Sequence, residues 1–191
     1  MRYRDIVLDK AEKSVFLTRK GMALDLGGIA KGYAADELVS ILHSARVRRA
    51  IIDLGGNVYL FGRKSDETLW RTGIKNPLHP EDEPICILQV PESSVVTSGI
   101  YERFFEQDGK RYHHILDAET GFPAASGLLS VSVVRQSSME ADAFATALFV
   151  LGKERGIAFA ERYGVDALFI DESLELTATD GFSEKYLLLM E

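Results

Sequence analysis

Cysteine and long apolar segments are nearly absent from this sequence. Cys86 is the only cysteine in 191 residues, so the chain cannot form an internal disulfide bond. It lies in the apolar stretch ICILQV, which is typical of a buried thiol rather than of a nucleophile. No apolar run reaches the ~18–20 residues that span a bilayer, and the opening stretch MRYRDIVLDK contains neither a signal-peptide core nor a lipidation cysteine. We therefore expect the chain as written to be soluble.

Positive charge is also scarce. The chain has 22 Lys and Arg against 29 Asp and Glu, which gives a formal net charge of -7. A protein this acidic has little general affinity for nucleic acid or for anionic membranes, so we expect no nucleic-acid partner. A pyrophosphate could bind only where a local cation or a helix N-terminus reverses the overall field.

Helical and extended patterns follow one another irregularly, without the strict alternation of a doubly wound sheet. Strands are predicted over 5–8, 14–18, 69–75, 84–90, 94–98, 129–135 and 167–171, and over 50–61 with an interruption at Gly55-Gly56. Further strands are predicted before Gly27, on both sides of Asp108-Gly109, and as a final pair of β segments. Helices are predicted over about 29–44, over 139–151 and up to about 163. The interruption at Gly55-Gly56 predicts a bulge or a close backbone approach. We therefore expect one α+β domain over residues 1–191, with mainly antiparallel sheets and packed helices.

The clearest chemical signal lies in the segment EADAFATALFVL. Asp142 and Thr146 are four residues apart, so they share one face of the predicted helix. The helix is apolar nearly all round, and a carboxylate there must be paired, hydrogen-bonded or bound to a metal. A carboxylate with a hydroxyl favours a hard ion such as Mg²⁺ over zinc. The alternative is an Asp142 satisfied by backbone amides and a Thr146 that bonds back into its own helix.

The segment DLGGIAKGYAAD has the composition of a phosphate-binding turn. Asp25 follows a predicted strand, Gly27 and Gly28 permit close backbone approach, and Lys31 lies in the first turn of the next helix. Free amides, the positive end of a helix dipole and one cation together favour a phosphate. The spacing matches neither the dinucleotide fingerprint nor the P-loop, so a plain strand-turn-helix is the alternative.

Two adjacent histidines, His113 and His114, end the hairpin predicted around Asp108-Gly109. Neighbouring residues of a strand point to opposite faces, so at most one of them faces a given cleft. A histidine near a carboxylate such as Asp117 can serve as a base. The alternative is a hydrogen-bonded structural histidine.

Six segments of the sequence form a set with a distinctive order and spacing: DLGGIAKGYAAD, IDLGGN, the W-x-x-G-I-x-x-P stretch from Trp70 to Pro77, VVTSGIYERFF, HHILDAETGFP and ADAFATAL. Together they resemble the ApbE family of FAD:protein FMN transferases. The resemblance runs from about Leu24 to Gly152 and implies an ApbE-like, T-fold-related α+β fold. The sequence departs from the family at Ala118, where the family usually has proline.

The resemblance implies transfer of FMN from FAD, through a phosphoester, to a threonine or serine hydroxyl of an acceptor protein, with Mg²⁺ required and AMP released. The residues implied to bind Mg²⁺ are Asp142, Thr146 and, through its carbonyl, Gly28. Those implied to contact FAD are Asp25, Lys31 and Leu116, and His114 is the residue implied to activate the acceptor hydroxyl.

The resemblance also implies partners and a longer enzyme. The acceptor would be a flavin-carrying subunit of a membrane redox complex of the Nqr or Rnf type. Family members are typically exported and lipid-anchored on the outer side of the cytoplasmic membrane. They carry an N-terminal part that this chain is expected to lack, and the apolar surface so uncovered could support a homo-oligomer. Two other activities fit the same segments: an FAD pyrophosphatase, in which water replaces the acceptor hydroxyl, and an inactive flavin-binding fragment.

Overall fold

The computed structural model describes residues 3–186. The strands, numbered along the chain, are β1 (Ile6–Asp9), β2 (Ser14–Leu17), β3 (Arg49–Asp53), β4 (Asn57–Gly62), β5 (Trp70–Ile74), β6 (Cys86–Val90), β7 (Ser93–Gly99), β8 (Phe104–Gln107), β9 (Lys110–His113), β10 (Leu128–Arg135), β11 (Asp166–Asp171) and β12 (Leu176–Ala178). The helices are α1 (Ala30–Ser44), α2 (Ser138–Leu151), α3 (Lys153–Tyr163) and α4 (Asp180–Lys185), and a short 3₁₀ turn covers Tyr3–Asp5. All strand pairings in the described range are antiparallel, and the predicted α+β class is confirmed.

The central sheet has six strands in the order β12-β11-β10-β7-β4-β3. Three further pairs, β1–β2, β5–β6 and β8–β9, are separate two-stranded sheets. The pairing of β1 with β2 and the β8–β9 hairpin agree with the sequence patterns. Asp108 and Gly109 have φ of +52° and +72°, the left-handed pair that a two-residue hairpin turn requires.

Different layers cover the two faces of the central sheet. On one face, β10 residues such as Val131 pack with Leu148 of α2, and α3 belongs to the same cluster. On the other face, Leu60 of β4 packs with Leu88 of β6. Cys86 lies in this second cluster, 1% exposed, and burial raises the pKa of its thiol to about 11. The thiol is therefore buried and protonated, as the sequence predicted.

Helix α1 crosses α2 at very short range because a glycine lies at the crossing. A Cβ atom on Gly32 would overlap the Ser138 carbonyl oxygen and come within 2.6 Å of the Met139 Cα atom. Gly32 and Ala35 are the buried residues of α1. Only a residue without a side chain allows the two helix backbones to approach this closely.

The strand predicted before Gly27 is wrong, and of the two alternatives predicted for Gly55-Gly56 the bulge is not found. Residues 22–26 are coil and pair with no strand of the described range, although their alternating pattern favours a strand, because a strand also needs a hydrogen-bonded neighbour. Gly55-Gly56 is not a bulge: with φ of +66° and +87° it forms the turn that joins β3 to β4. Of the predicted final pair of β segments, β12 is the first; α4 follows it, and residues 187–191 lie outside the described range.

Replacing Gly32 by alanine should force α1 and α2 apart. Inserting a methyl group into a packed contact costs roughly 1–3 kcal/mol, and each kcal/mol shifts the unfolding temperature of a chain of this size by about 2–4 °C. Ala34→Ser, an exposed change on the same helix, is the matched control. Thermal unfolding measured by circular dichroism should show a lower midpoint for Gly32→Ala only; equal midpoints for the two variants would contradict the close crossing.

Candidate active site

The turn before α1 is built by Asp25 and two glycines. The Asp25 carboxylate accepts a hydrogen bond from the Gly27 amide at 2.7 Å, and the Leu26 carbonyl accepts the amides of Ile29 and Ala30 at 3.0 and 2.9 Å. This arrangement ends the coil segment and starts the helix. The N-terminus of α1, which is the positive end of the helix dipole, therefore lies at the glycine turn.

Asp142 projects from α2 toward the first turn of α1. Its side chain is only 3% exposed, and its Oδ2 atom accepts a hydrogen bond from the Gly32 amide at 2.9 Å. Burial raises the pKa of Asp142, while the Gly32 hydrogen bond and the charge of Lys31 oppose that rise. The carboxylate is therefore satisfied by a backbone amide, as the alternative to a metal site anticipated, but the amide belongs to the other helix.

Thr146 lies one turn further along α2, against the glycine turn. Its Oγ1 atom is 3.5 Å from the position that a Cβ of Gly28 would occupy, and it shares a hydrogen bond of 3.2 Å with the Ser98 hydroxyl. The predicted juxtaposition of Gly28 with the Asp142–Thr146 face is therefore present. Among the backbone hydrogen bonds of residues 3–186, none joins the Gly32 amide to the Gly28 carbonyl, because that amide donates to Asp142.

These residues present the oxygen types that Mg²⁺ prefers. A carboxylate and a hydroxyl on α2 lie beside the glycine turn before α1, and a Mg²⁺ site completes such a set with backbone carbonyls, water and substrate phosphates. No group of three or more His, Cys, Asp or Glu side chains within residues 3–186 could hold a metal ion. A metal here would thus depend on the single carboxylate of Asp142 together with neutral oxygens, which fits Mg²⁺ and not zinc.

Lys31 lies beside this group, held by two other segments. Its Nζ atom donates to the Gly55 carbonyl at 3.1 Å and lies 3.8 Å from the Glu102 carboxylate. The Glu102 carboxylate also lies against Gly56, where it occupies the space of a Cβ atom. The sequence predicted either a bulge or a close backbone approach at Gly55-Gly56. The structure has the close backbone approach.

A cavity of about 80 Å³ adjoins this corner of the molecule. Its walls include Asp53, Thr72, Tyr101 and Glu102. Burial, and to a lesser extent the charge of Glu102, raises the pKa of Tyr101 to about 12. A tyrosine is already protonated at neutral pH at its ordinary pKa, so the Tyr101 hydroxyl is a hydrogen-bond donor there with or without this rise.

The two histidines point to different surroundings. The His113 ring packs edge-on against Phe149, with ring centroids 5.7 Å apart, and burial lowers its pKa. His114 is exposed, and its Nδ1 atom lies 3.1 Å from the Arg103 carbonyl. Because Phe149 is three residues beyond Thr146, the contact places the end of the hairpin beside α2. Among the hydrogen bonds of residues 3–186, none joins His114 to Asp142 or Thr146.

The loop after His114 is exposed and internally stabilised. Leu116 is 53% exposed and forms an isolated β-bridge with Pro123. The Asp117 carboxylate accepts the amides of Thr120 and Glu119, and these bonds lower its pKa. Asp117 therefore shapes the loop, and Leu116 presents an apolar side chain to the surface.

A family model described as the ApbE family matches residues 1–169. The chain belongs to the ApbE family. It is 44% identical over 184 residues to a protein of Treponema pallidum named FAD:protein FMN transferase, covering 92% of this chain and 51% of that protein. A Klebsiella pneumoniae protein of the same name is also 44% identical, over 92% of this chain and 54% of its own length. This chain thus spans about half the length of the curated relatives it matches.

Solved structures of ApbE proteins have the same fold. The crystal structure of the Thermotoga maritima ApbE protein matches with a TM-score of 0.87 and 35% identity, over 96% of this chain and 59% of that one. The flavin transferase ApbE of Vibrio cholerae matches with a TM-score of 0.83 and 30% identity, over 95% of this chain and 58% of that one. The α+β fold predicted from the resemblance to the ApbE family is confirmed.

Two residues that contact the predicted site, and a third that binds the helix carrying it, were missed by sequence reasoning. Ser98 bonds to Thr146, Glu102 faces Lys31, and Asp36 binds the N-terminus of α2. All three lie inside segments that carry the ApbE resemblance, VVTSGIYERFF and DLGGIAKGYAAD. Their place in these segments is the only sequence feature that could have indicated them, because the residues they contact are distant in the sequence.

Replacing His113 and His114 separately should affect stability unequally. His113→Ala removes a ring packed on Phe149 and should lower the free energy of unfolding by roughly 1–3 kcal/mol. His114→Ala removes an exposed ring, and surface changes of this kind are usually within about 0.5 kcal/mol. Urea unfolding followed by circular dichroism measures both; equal losses would mean that the two side chains do not differ in packing.

Proposed function

We propose that this chain forms the Mg²⁺- and FAD-binding part of an FAD:protein FMN transferase. The observation that carries the proposal is the convergence of the Asp142 carboxylate, the Thr146 hydroxyl and the Gly28 turn, with Lys31 beside them. The names of the relatives support the same activity. FAD is the substrate, and the acceptor is a threonine or serine hydroxyl of another protein.

The residues of α1 would bind the pyrophosphate of FAD. The ammonium group of Lys31 and the N-terminus of α1 supply local positive charge within an acidic chain. Asp142, Thr146 and the Gly28 carbonyl would hold Mg²⁺, which when bound neutralises the pyrophosphate and polarises the attacked phosphorus. Asp25 orders the turn in front of the helix through its bond to Gly27.

His114 would act on the acceptor hydroxyl. Its exposed ring is open to an incoming side chain, and the Arg103 carbonyl beside Nδ1 favours a proton on that atom, which leaves Nε2 to accept the hydroxyl proton. The hydroxyl oxygen then bonds to the phosphorus of the FMN half, and the bond from that phosphorus to the bridging oxygen breaks. AMP leaves with the bridging oxygen.

The acceptor in this proposal is a flavin-carrying subunit of a membrane redox complex of the Nqr or Rnf type. Leu116 offers an exposed apolar contact to the flavin side of FAD. No helix within residues 3–186 is long and apolar enough to cross a membrane. Export and a lipid anchor are part of the proposal for the whole enzyme.

A second candidate activity is FAD pyrophosphatase. The exposure of His114 and Leu116 supports it, because an open site admits water in place of the acceptor hydroxyl. Water would then attack the same phosphorus, and the products would be FMN and AMP.

Incubation with FAD and Mg²⁺, with and without a purified Nqr-type acceptor subunit, separates these activities. Mass spectrometry of the acceptor detects covalent FMN, and chromatography detects free FMN and AMP. Covalent FMN with AMP supports the transferase, and free FMN with AMP in both incubations supports the pyrophosphatase. No turnover in either would reject both and leave a flavin-binding fragment.

His114→Ala should slow FMN transfer by about 10²–10⁴-fold, the usual contribution of a general base. His113→Ala is the matched control, because its ring packs on Phe149 and its effect should be confined to stability. Initial rates measured below the unfolding temperature of both variants make the comparison. Equal slowing by the two substitutions would argue that neither histidine is the base.

We further propose that residues 1–191 form a single ApbE-like unit with an apolar surface that another segment or a partner covers. Apolar side chains exposed on and before α1, including Leu26 (62%), Tyr33 (55%) and Ile41 (60%), support a covering segment. The lengths of the relatives support it as well, and self-association into a homo-oligomer would cover the same surface.

FAD should therefore bind weakly to the 191-residue chain. Cofactor pockets enclose roughly 70–90% of a ligand's surface, and binding of the phosphates alone in exposed surroundings is weakened by salt. Calorimetric titration of FAD with Mg²⁺ at low and high salt measures both effects. Affinity should recover when the N-terminal part of a relative is fused in front; tight, salt-insensitive binding by this chain alone would show that its pocket is already complete.

A further inference from the structure

Asp36, on α1, binds the N-terminus of α2. Its Oδ1 atom accepts the Ser138 amide at 2.8 Å, and its Oδ2 atom accepts the Ser137 hydroxyl at 2.9 Å and the Met139 amide at 3.1 Å. The first amides of a helix have no partner within the helix, and a carboxylate is favourable there because of the helix dipole. Asp36 thus satisfies two of these amides from a different helix.

This contact is matched by the bond between Asp142 and the Gly32 amide. Gly32 and Asp36 are four residues apart on α1, and Ser138 and Asp142 are four residues apart on α2, so each pair lies on one helix face. Each helix therefore contributes one carboxylate to the first turn of the other. We call these four residues the α1–α2 clamp.

The clamp is attached to the sheet through the buried side chain of Ser138. Its hydroxyl donates to the Asn57 Oδ1 atom at 2.8 Å and accepts from the Ser94 hydroxyl at 2.8 Å. Ser138, Asn57 and Ser94 are all 0% exposed. Buried hydrogen bonds of this kind fix one arrangement, because a shift would leave polar groups unsatisfied.

We propose that Asp36 is a positioning residue for the Asp142–Thr146 site. It fixes the start of α2 against α1, so that the Asp142 carboxylate stays on the Gly32 amide and the Thr146 hydroxyl stays at the Gly28 turn. The part that concerns metal affinity rests on the proposed function, since it assumes that Asp142, Thr146 and Gly28 hold Mg²⁺. The part that concerns the helix contact does not.

Two readouts test the proposal on the full chain, with Asp36→Ala, Asp36→Asn and the exposed neighbour Glu37→Gln as a matched control. The first is hydrogen exchange of the Gly32 amide by NMR without metal. The second is the dissociation constant of Mn²⁺, used as a paramagnetic probe in place of Mg²⁺ and measured by electron paramagnetic resonance.

Asp36→Ala should reduce protection of the Gly32 amide by about tenfold or more, because that bond depends on the position of α2. Mn²⁺ affinity should fall by about 10–100-fold, as when an outer partner of a metal ligand is removed. Asp36→Asn keeps one acceptor oxygen and should lie between Asp36→Ala and the unsubstituted chain. If Asp36→Ala does not fold, Asp36→Asn is compared with the unsubstituted chain in its place. Glu37→Gln should change neither readout.

Gly32 protection and Mn²⁺ affinity within twofold of the unsubstituted chain in both Asp36 variants would overturn the proposal. Absence of Mn²⁺ binding by the unsubstituted chain would instead reject the proposed metal site. In that case, loss of Gly32 protection in Asp36→Ala would still support the positioning role.

Discussion

The bond between the Asp142 carboxylate and the Gly32 amide is the interaction on which the site depends. A carboxylate with 3% exposure is costly unless it is hydrogen-bonded, and an amide in the first turn of a helix lacks a partner within it. Each group satisfies the other, and the missing side chain of Gly32 lets the helices come close enough to do so. Because the Gly32 amide donates to Asp142, it makes no hydrogen bond to the Gly28 carbonyl within the described part of the chain.

A positive charge, the Lys31 ammonium group, lies close to this bond although the chain as a whole is acidic. The Lys31 ammonium lies near Glu102 and the Gly55 carbonyl, so its position is fixed by two segments that are remote from α1. A cation held in this way is already oriented when a phosphate arrives, which reduces the cost of ordering a flexible side chain on binding. In the proposed function, Glu102 and the Gly55 carbonyl hold the Lys31 ammonium group in the position from which it would meet the pyrophosphate.

Local patterns predicted the elements well wherever one residue type decides the conformation. Asp108-Gly109 predicted the β8–β9 turn. The helix predicted over 139–151 corresponds to α2, whose start is capped by the Ser137 hydroxyl, which accepts the Glu140 amide at 3.2 Å. The spacing of Asp142 and Thr146 predicted that both side chains would lie on one face of α2. Each of these rules involves residues within a few positions of one another.

Contacts between distant residues could not be predicted in this way. Asp36 and Ser138 are 102 positions apart, and no local rule connects them. Residues 22–26 alternate like a strand but have no neighbouring strand in the described range, and Gly55-Gly56 is compatible with a bulge or with a hairpin turn. The choice in each case depends on which segments lie alongside, and only the three-dimensional structure gives that information.

Calorimetric titration of Mg²⁺ tests the central claim most directly, that the Gly28 turn and α2 form one metal site. The unsubstituted chain is compared with Asp142→Asn, which keeps an oxygen for the Gly32 amide but loses the charge, and with Glu140→Gln, an exposed control on the same helix. Binding by the unsubstituted chain and by Glu140→Gln, with at least about tenfold weaker binding by Asp142→Asn, is the predicted result. Equal Mg²⁺ affinity in all three proteins would contradict the account.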